Sequence, residues 1–209
     1  MTSAVPPPLS LLHEENLALQ QGYLCIAGID EAGRGALAGP VVAACVVLPK
    51  DQFPVGVADS KTLSADQRER LYTEIYATAR GIGIGIVEAA VIDAINILKA
   101  THQAMRLALA NLPDGLFPDV ALIDGLPVKP FPIDQIALVR GDSRSATIAA
   151  ASIIAKVTRD RLMCGYDLDY PDYGFASHKG YGAPTHLQVL QTPKPQNPKT
   201  PTIYGKRII

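Results

Sequence analysis

The chain has 209 residues, 48% of them hydrophobic, and carries 19 Lys and Arg against 20 Asp and Glu for a net charge of −1. That length and apolar content suffice for a sizeable core in one domain, with two still possible, while the near-neutral charge excludes a protein that coats nucleic acid through a global positive field. No uninterrupted apolar run reaches the roughly 18 residues a transmembrane helix needs, and the opening segment has no basic region leading into an apolar core, so a soluble, cytoplasmic protein with no membrane contact is expected.

Residues 1–22 contain three consecutive prolines followed by polar helix formers, and read as an extension loosely attached to the domain. Tyr23 to Ile29 has no polar residue to face water, so it reads as a strand buried on both faces. It stops at Asp30 and Glu31, and Ala32-Gly33-Arg34-Gly35 supplies the break that lets two successive side chains serve one task. Glycines on either side of an arginine allow positive φ and close approach of backbone to a ligand with a guanidinium nearby, which suggests metal beside phosphate. An acidic pair beginning an ordinary surface turn is the plain alternative.

Pro40 to Leu48 is a second apolar, β-branched run, close enough to favour an antiparallel hairpin with the first. Ser64-Ala65-Asp66-Gln67 has capping-box spacing and predicts a helix to about Arg80, with Leu71, Ile75 and Ala79 on its buried face. Gly81 to Ile86 alternates glycine and isoleucine, the period of a strand with bare backbone on one face. A phosphate loop is disfavoured there, since such a loop should open into a helix. From Val91, the spacing of Ile95, Leu98, His102, Met105, Leu109 and Leu112 predicts a core-facing helical stripe, with His102 a packing residue. Val120 to Ile123 is a short strand delivering Asp124, and Gln135 to Arg140 another, ending at Gly141-Asp142.

A helix is expected from about Ala146 to Met163. Its alanines would press on a sheet, and Ser152, Lys156 and Arg159 would share a polar face able to hold phosphate, or simply solvated. Between Arg140 and Arg161 five basic residues face two acidic ones, a pattern that fits either a polyanion cleft or a solvated helix. Asp169 to Tyr181 is aromatic and loop-like, Pro184 to Leu190 reads as a short helix, and 191–209 as a proline-rich tail, leaving 23–190 as the domain. Cys25, Cys45 and Cys164 include no Cys-x-x-Cys pair and are expected to be reduced core residues.

Strands alternating with helices and delivering acids at three ends predict an α/β sheet whose edge gathers Asp30, Glu31, Asp124 and Asp142. Four such carboxylates repel unless divalent cations neutralise them, which implies Mg²⁺ or Mn²⁺; two ions about 4 Å apart are the usual device for cutting a phosphodiester. Asp124-Gly125 is also a common turn, and Asp142 could cap the following helix.

The chain closely resembles the ribonuclease HII family from Ile26 to Tyr181. The matching pieces are GIDEAGRG at 28–35, GPVVAA at 39–44, DSK at 59–61, NIL at 96–98 with AT at 100–101, IDG at 123–125, GDSRSATIAAASIIAKVTRDR at 141–161 and HKGYG at 178–182. The resemblance implies a ribonuclease H-like fold, with a mixed five-stranded sheet flanked by helices and a helical or loop C-terminal part. It implies an endonuclease acting on RNA/DNA hybrids and cutting 5′ of single ribonucleotides in duplex DNA, leaving a 3′-hydroxyl and a 5′-phosphate, with two Mn²⁺ or Mg²⁺ ions and a monomeric protein. Carried over by position, the metal-binding acids fall on Asp30, Glu31, Asp124 and Asp142. The turn that senses the ribose 2′-hydroxyl through backbone falls on Gly33, Arg34 and Gly35, and the tyrosine that packs on the sugar on Tyr181. Lys61 resembles the lysine held near the backbone phosphates, although a lysine before a helix cap needs no such role. The 22-residue lead and the tail depart from the family pattern. A hybrid-binding module without catalysis, or another metal nuclease of the same fold such as a junction resolvase, are the competing expectations.

Overall fold

The computed structural model describes residues 9–50, 56 and 63–191; Lys61 with the rest of DSK, and the tail beyond 191, lie outside the described residues. β1 (Ile26–Ala32) and β2 (Val41–Val47) form the expected antiparallel hairpin, with Ala27 opposite Val47 and Ala32 opposite Val42. β3 (Gly81–Val87) continues antiparallel beyond β2, while β4 (Val120–Asp124) and β5 (Asp134–Leu138) add in parallel on the other side of β1. The resulting five-stranded mixed sheet runs β3-β2-β1-β4-β5.

Seven helices surround or extend it among the described residues: α1 (His13–Gln20), α2 (Ala65–Thr78), α3 (Ala89–Ile95), α4 (Ile97–Ala110), α5 (Ala146–Asp169), α6 (Phe175–His178) and α7 (Pro184–Gln191). None of them is long and apolar enough to cross a membrane. One sheet face presents Ala27, Ile29, Ala43 and Cys45 to Ala104, Met105 and Ala108 of α4. The other presents Ala44 and Val46 to Leu71 and Ile75 of α2 and to Ala150, Ile153 and Ile154 of α5. Covered on both sides, every residue of β2 is buried, as its unbroken apolar run predicts. The glycine face of β3 explains how close α4 comes: a Cβ on Gly83 or Gly85 would stand 2.0 Å from the carbonyl oxygen of Ala108 or Ala104.

The helical stripe holds at Met105 and Leu109, which are buried, and at Ile95 and Leu112, which pack against the same core, but Leu98 is 48% exposed. Ala100, Thr101, Ala104 and Ala108 complete the buried face of α4, small side chains that fit against bare backbone. The chain also breaks at Asn96, whose φ of 73° ends α3 and whose side chain accepts the Lys99 N–H at 3.1 Å to start α4.

Residues 13–20 are not loosely attached. Ala18 of α1 is fully buried against Ile26, Val120 and Leu122, and two buried glutamates anchor the helix. Arg144 donates to Glu14 at 2.5 Å, while Ser145 Oγ and the Thr147 N–H donate to Glu15 at 2.6 and 2.9 Å. Cys164 is exposed, contrary to the core position expected for it, while Cys45 is buried and Cys25 half-buried; all three are free thiols.

Candidate active site

The parallel register between β1 and β4 creates the acidic edge. Ile29 pairs with Ile123, so the next residues, Asp30 and Asp124, follow on neighbouring strands and point to the same face of the sheet. Asp30 is only 4% exposed. Burial, followed by the charges of Glu31 and Asp124, raises its pKa well above the usual carboxylate range, although Ser152 of α5 and the Glu31 N–H at 2.7 Å both donate to it. Burial likewise raises Glu31, opposed by Arg34, whose Nη1 lies 3.6 Å from Glu31 Oε1, and reinforced by Asp124.

The fourth acid arrives through a turn. After β5, Arg140 adopts the left-handed region at φ 56°, and Gly141–Ser143 form one 3₁₀ turn that leads into α5. The Gly141 N–H donates to Asp124 Oδ1 at 2.6 Å, which brings Asp142, buried at 4% exposed, next to the residue bonded to Asp124. Ser145 then caps α5 by accepting the Ile148 N–H at 3.1 Å. Among the described residues, no group of three or more acidic, histidine or cysteine side chains is already drawn together as a metal cage. Repulsion among partly desolvated carboxylates opposes such a closed arrangement without a counter-charge.

The glycine turn and Tyr181 flank this edge. Gly33 has φ 103°, and a Cβ there would overlap Arg159 Nε at 2.2 Å; a Cβ on Gly35 would meet nothing within 4 Å. Arg34 and Gly35 are exposed. Downstream of the turn, the Leu37 and Ala38 N–H groups donate to Gly180 O at 2.8 and 3.3 Å, seating the Tyr181 loop against it. The Tyr181 ring lies 5.2 Å from Arg159 Cζ and 5.3 Å from Lys156 Nζ.

Arg159 is the residue that the sequence misrepresents. It is fully buried, and its guanidinium donates to Pro40 O at 2.8 Å, Lys179 O at 2.8 Å and Ala38 O at 3.0 Å. Ser152 supports Asp30, and Lys156 pairs with Asp160 at 2.8 Å. The expected phosphate-holding face of Ser152, Lys156 and Arg159 is therefore committed to contacts within the protein. Much the same holds for the basic segment, where Arg144 pairs with Glu14 and Arg161 with Glu69, each at 2.5 Å. His102 is half-buried on α4, its pKa lowered by burial and by the charges of Arg106 and Arg34.

The family model of ribonuclease HII matches residues 27–204. The chain is 55% identical over 177 residues to the ribonuclease HII of Acetivibrio thermocellus, covering 85% of this chain and 68% of that one. It is 52% identical over 193 residues to that of Geobacter sulfurreducens, covering 92% and 88%. Among solved structures, the ribonuclease H2 of Pyrococcus horikoshii OT3 superposes with a TM-score of 0.67 at 28% identity, over 80% of this chain and 85% of that one. Bst-RNase HIII in complex with Mn²⁺ shares the fold, with a TM-score of 0.64 at 19% identity over 90% of this chain and 70% of that one.

Proposed function

This chain belongs to the ribonuclease HII family and is a ribonuclease H, a hydrolase acting on nucleic acid, and on that premise we propose that it cuts RNA/DNA hybrids and the 5′ side of single ribonucleotides embedded in duplex DNA, leaving a 3′-hydroxyl and a 5′-phosphate. Its mixed sheet and flanking helices are the ribonuclease H-like fold. The observation that carries the proposal is the parallel pairing of Ile29 with Ile123, which sets Asp30 and Asp124 next in line on adjacent strands and near enough for Asp124 to raise the Asp30 pKa, with Glu31 beside them and Asp142 next to the Gly141 that bonds Asp124.

Carboxylates are hard oxygen donors, and burial together with neighbouring acids raises the pKa of Asp30 and Glu31, so Asp30, Glu31, Asp124 and Asp142 are the proposed holders of two Mg²⁺ or Mn²⁺ ions. Such ions, when bound, neutralise the acids, lower the pKa of water and stabilise the departing oxygen. Ser152 and the Glu31 N–H fix the Asp30 carboxylate by donating to it, so its orientation is set in advance. Arg34 holds Glu31 from the solvent side. The exposed backbone at Gly35 has room to approach a sugar, and we assign 2′-hydroxyl recognition to the Gly33-Arg34-Gly35 turn. Tyr181, propped by Arg159 and Lys156, is assigned the sugar-packing surface. Lys61 keeps its proposed role near the phosphates on resemblance alone. The protein is proposed to act as a monomer in the cytoplasm, a setting that suits its three free thiols.

Incubation with a duplex carrying one ribonucleotide, with and without Mn²⁺ or Mg²⁺, tests the reading. Metal-dependent incision 5′ of the ribonucleotide is expected. An intact strand bound tightly would favour a binding module instead, and preferential cutting of four-way junctions would favour a resolvase.

A further inference from the structure

Behind the Tyr181 loop, His178 and His186 stack with ring centroids 4.3 Å apart and 12° between their planes. Phe175 meets both edge-on, at 6.0 and 5.6 Å. Three of the four ring nitrogens meet backbone. His186 is fully buried, with Nδ1 2.8 Å from the Tyr181 carbonyl oxygen. A carbonyl only accepts, so Nδ1 carries the proton, and Nε2, buried without a partner, is a bare lone pair. His178 takes the other tautomer: its Nδ1 accepts the Gly180 N–H at 3.2 Å, and its Nε2–H donates to Tyr173 O at 2.8 Å.

His186 resists a second proton for a geometric reason: on Nε2 it would be a buried charge with no acceptor, face to face with another imidazole. Burial and His178 lower the pKa of His186, against the opposing pull of the Tyr181 carbonyl.

We infer that His186, braced by its stack on His178, is a positioning residue that fixes the Tyr181 backbone so that the ring meets the ribonucleotide's neighbouring sugar. This rests on the proposed role of Tyr181. The Tyr181 carbonyl also accepts the Ala183 N–H at 2.8 Å, a contact local to the turn. His186 is what ties that carbonyl to α7.

The test is steady-state cleavage of a duplex containing one ribonucleotide, at pH 7.5, by the wild type, Tyr181→Ala, His186→Leu, His186→Phe and His186→Asn. Loss of the tie in His186→Leu should raise KM about tenfold and leave kcat within about twofold. In His186→Asn the side-chain amide replaces Nδ1–H, so KM should return toward the wild-type value. A folded His186→Leu with wild-type KM overturns the inference while leaving Tyr181's role intact, provided Tyr181→Ala raises KM. A Tyr181→Ala protein with wild-type KM overturns both. Should His186→Leu not fold, His186→Phe, which keeps a flat ring to stack on His178 but has no donor for the Tyr181 carbonyl, decides, and a wild-type KM there overturns the inference.

Discussion

Arg159 lies beneath Tyr181 with its Cζ 5.2 Å from the ring centroid, and the same guanidinium fills the space that a side chain on Gly33 would occupy. One buried cation thus joins the turn assigned to the 2′-hydroxyl and the ring assigned to the sugar. Its three carbonyl partners belong to two loops whose acceptors would otherwise lack these donors. Arg159→Leu should destabilise the fold by about 2–4 kcal/mol, because several buried acceptors lose their donor together. Arg159→Lys should recover only part of this, since an ammonium cannot present a planar fork to three carbonyls. Urea unfolding of both variants checks the order.

Gly33 and Gly35 flank one arginine but are needed for different reasons. Gly33 sits at φ 103° with Arg159 Nε and the Pro40 carbonyl where a methyl would go, whereas Gly35 lies outside the positive-φ region and faces open space. Gly33→Ala should therefore cost about 1–3 kcal/mol of stability. Gly35→Ala should change stability by less than about 0.5 kcal/mol, yet lower cleavage of a single-ribonucleotide duplex at least tenfold, because its methyl would stand between backbone and sugar. Thermal melts beside kcat/KM separate the two. Wild-type cleavage by Gly35→Ala would remove the close-approach role.

Asp30 is held in the fold against its own charge. Its pKa is raised by burial, Glu31 and Asp124, so the native state binds a proton more readily than the unfolded chain. Stability is therefore greatest where Asp30 is protonated and declines as pH rises from about 4, the unfolded value, through the folded one. Asp30→Asn removes this burden. The metal-free variant should melt roughly 2–4 °C above wild type at neutral pH, the shift that about 1 kcal/mol gives in a chain of this size. The gap should close toward pH 4, and cleavage should be abolished. Adding Mn²⁺ should raise the melting temperature of wild type more than that of the variant. A metal-free wild type that melts above Asp30→Asn at neutral pH would contradict the account.

What could be read from the residues followed local rules that tertiary structure did not override. The buried hairpin was marked by two unbroken apolar runs. The α2 start was marked by Ser64 and Gln67, which make both bonds of the capping box at 3.2 and 2.8 Å. The glycine-isoleucine alternation marked β3. The acids were legible as strand-end residues, but their side-by-side placement required the parallel register of β1 and β4, which no local pattern encodes. Arg159 was misread because spacings of three and four give the same polar stripe whether the stripe meets water or two loops. Its acceptors lie 20 and about 120 residues away in sequence. On α4 the stripe found Met105 and Leu109 but missed Ala100, Ala104 and Ala108, because alanine carries little periodic signal. His178 and His186 gave no signal at all, since each owes its partner to the chain's reversal around Tyr181.

The least legible contact was Glu15. Its Oε1 accepts from Ser145 Oγ at 2.6 Å, Thr147 Oγ1 at 2.8 Å and the Thr147 N–H at 2.9 Å, at the first turn of α5, where a carboxylate also suits the helix dipole. Glu15→Ala leaves buried hydroxyls and an amide without their acceptor and should cost roughly 2–3 kcal/mol. Glu15→Gln, which keeps one oxygen acceptor, should cost less. The effect should also reach the acidic edge, because the Ser145 N–H donates to the Gly141 carbonyl at 2.8 Å, and Gly141 precedes Asp142 and bonds Asp124. Calorimetric titration of folded Glu15→Ala with Mn²⁺ should therefore show affinity reduced several-fold, although Glu15 itself is not one of the four acids. Unchanged affinity would mean that α1 supports the fold alone and leaves the Asp142 turn untouched.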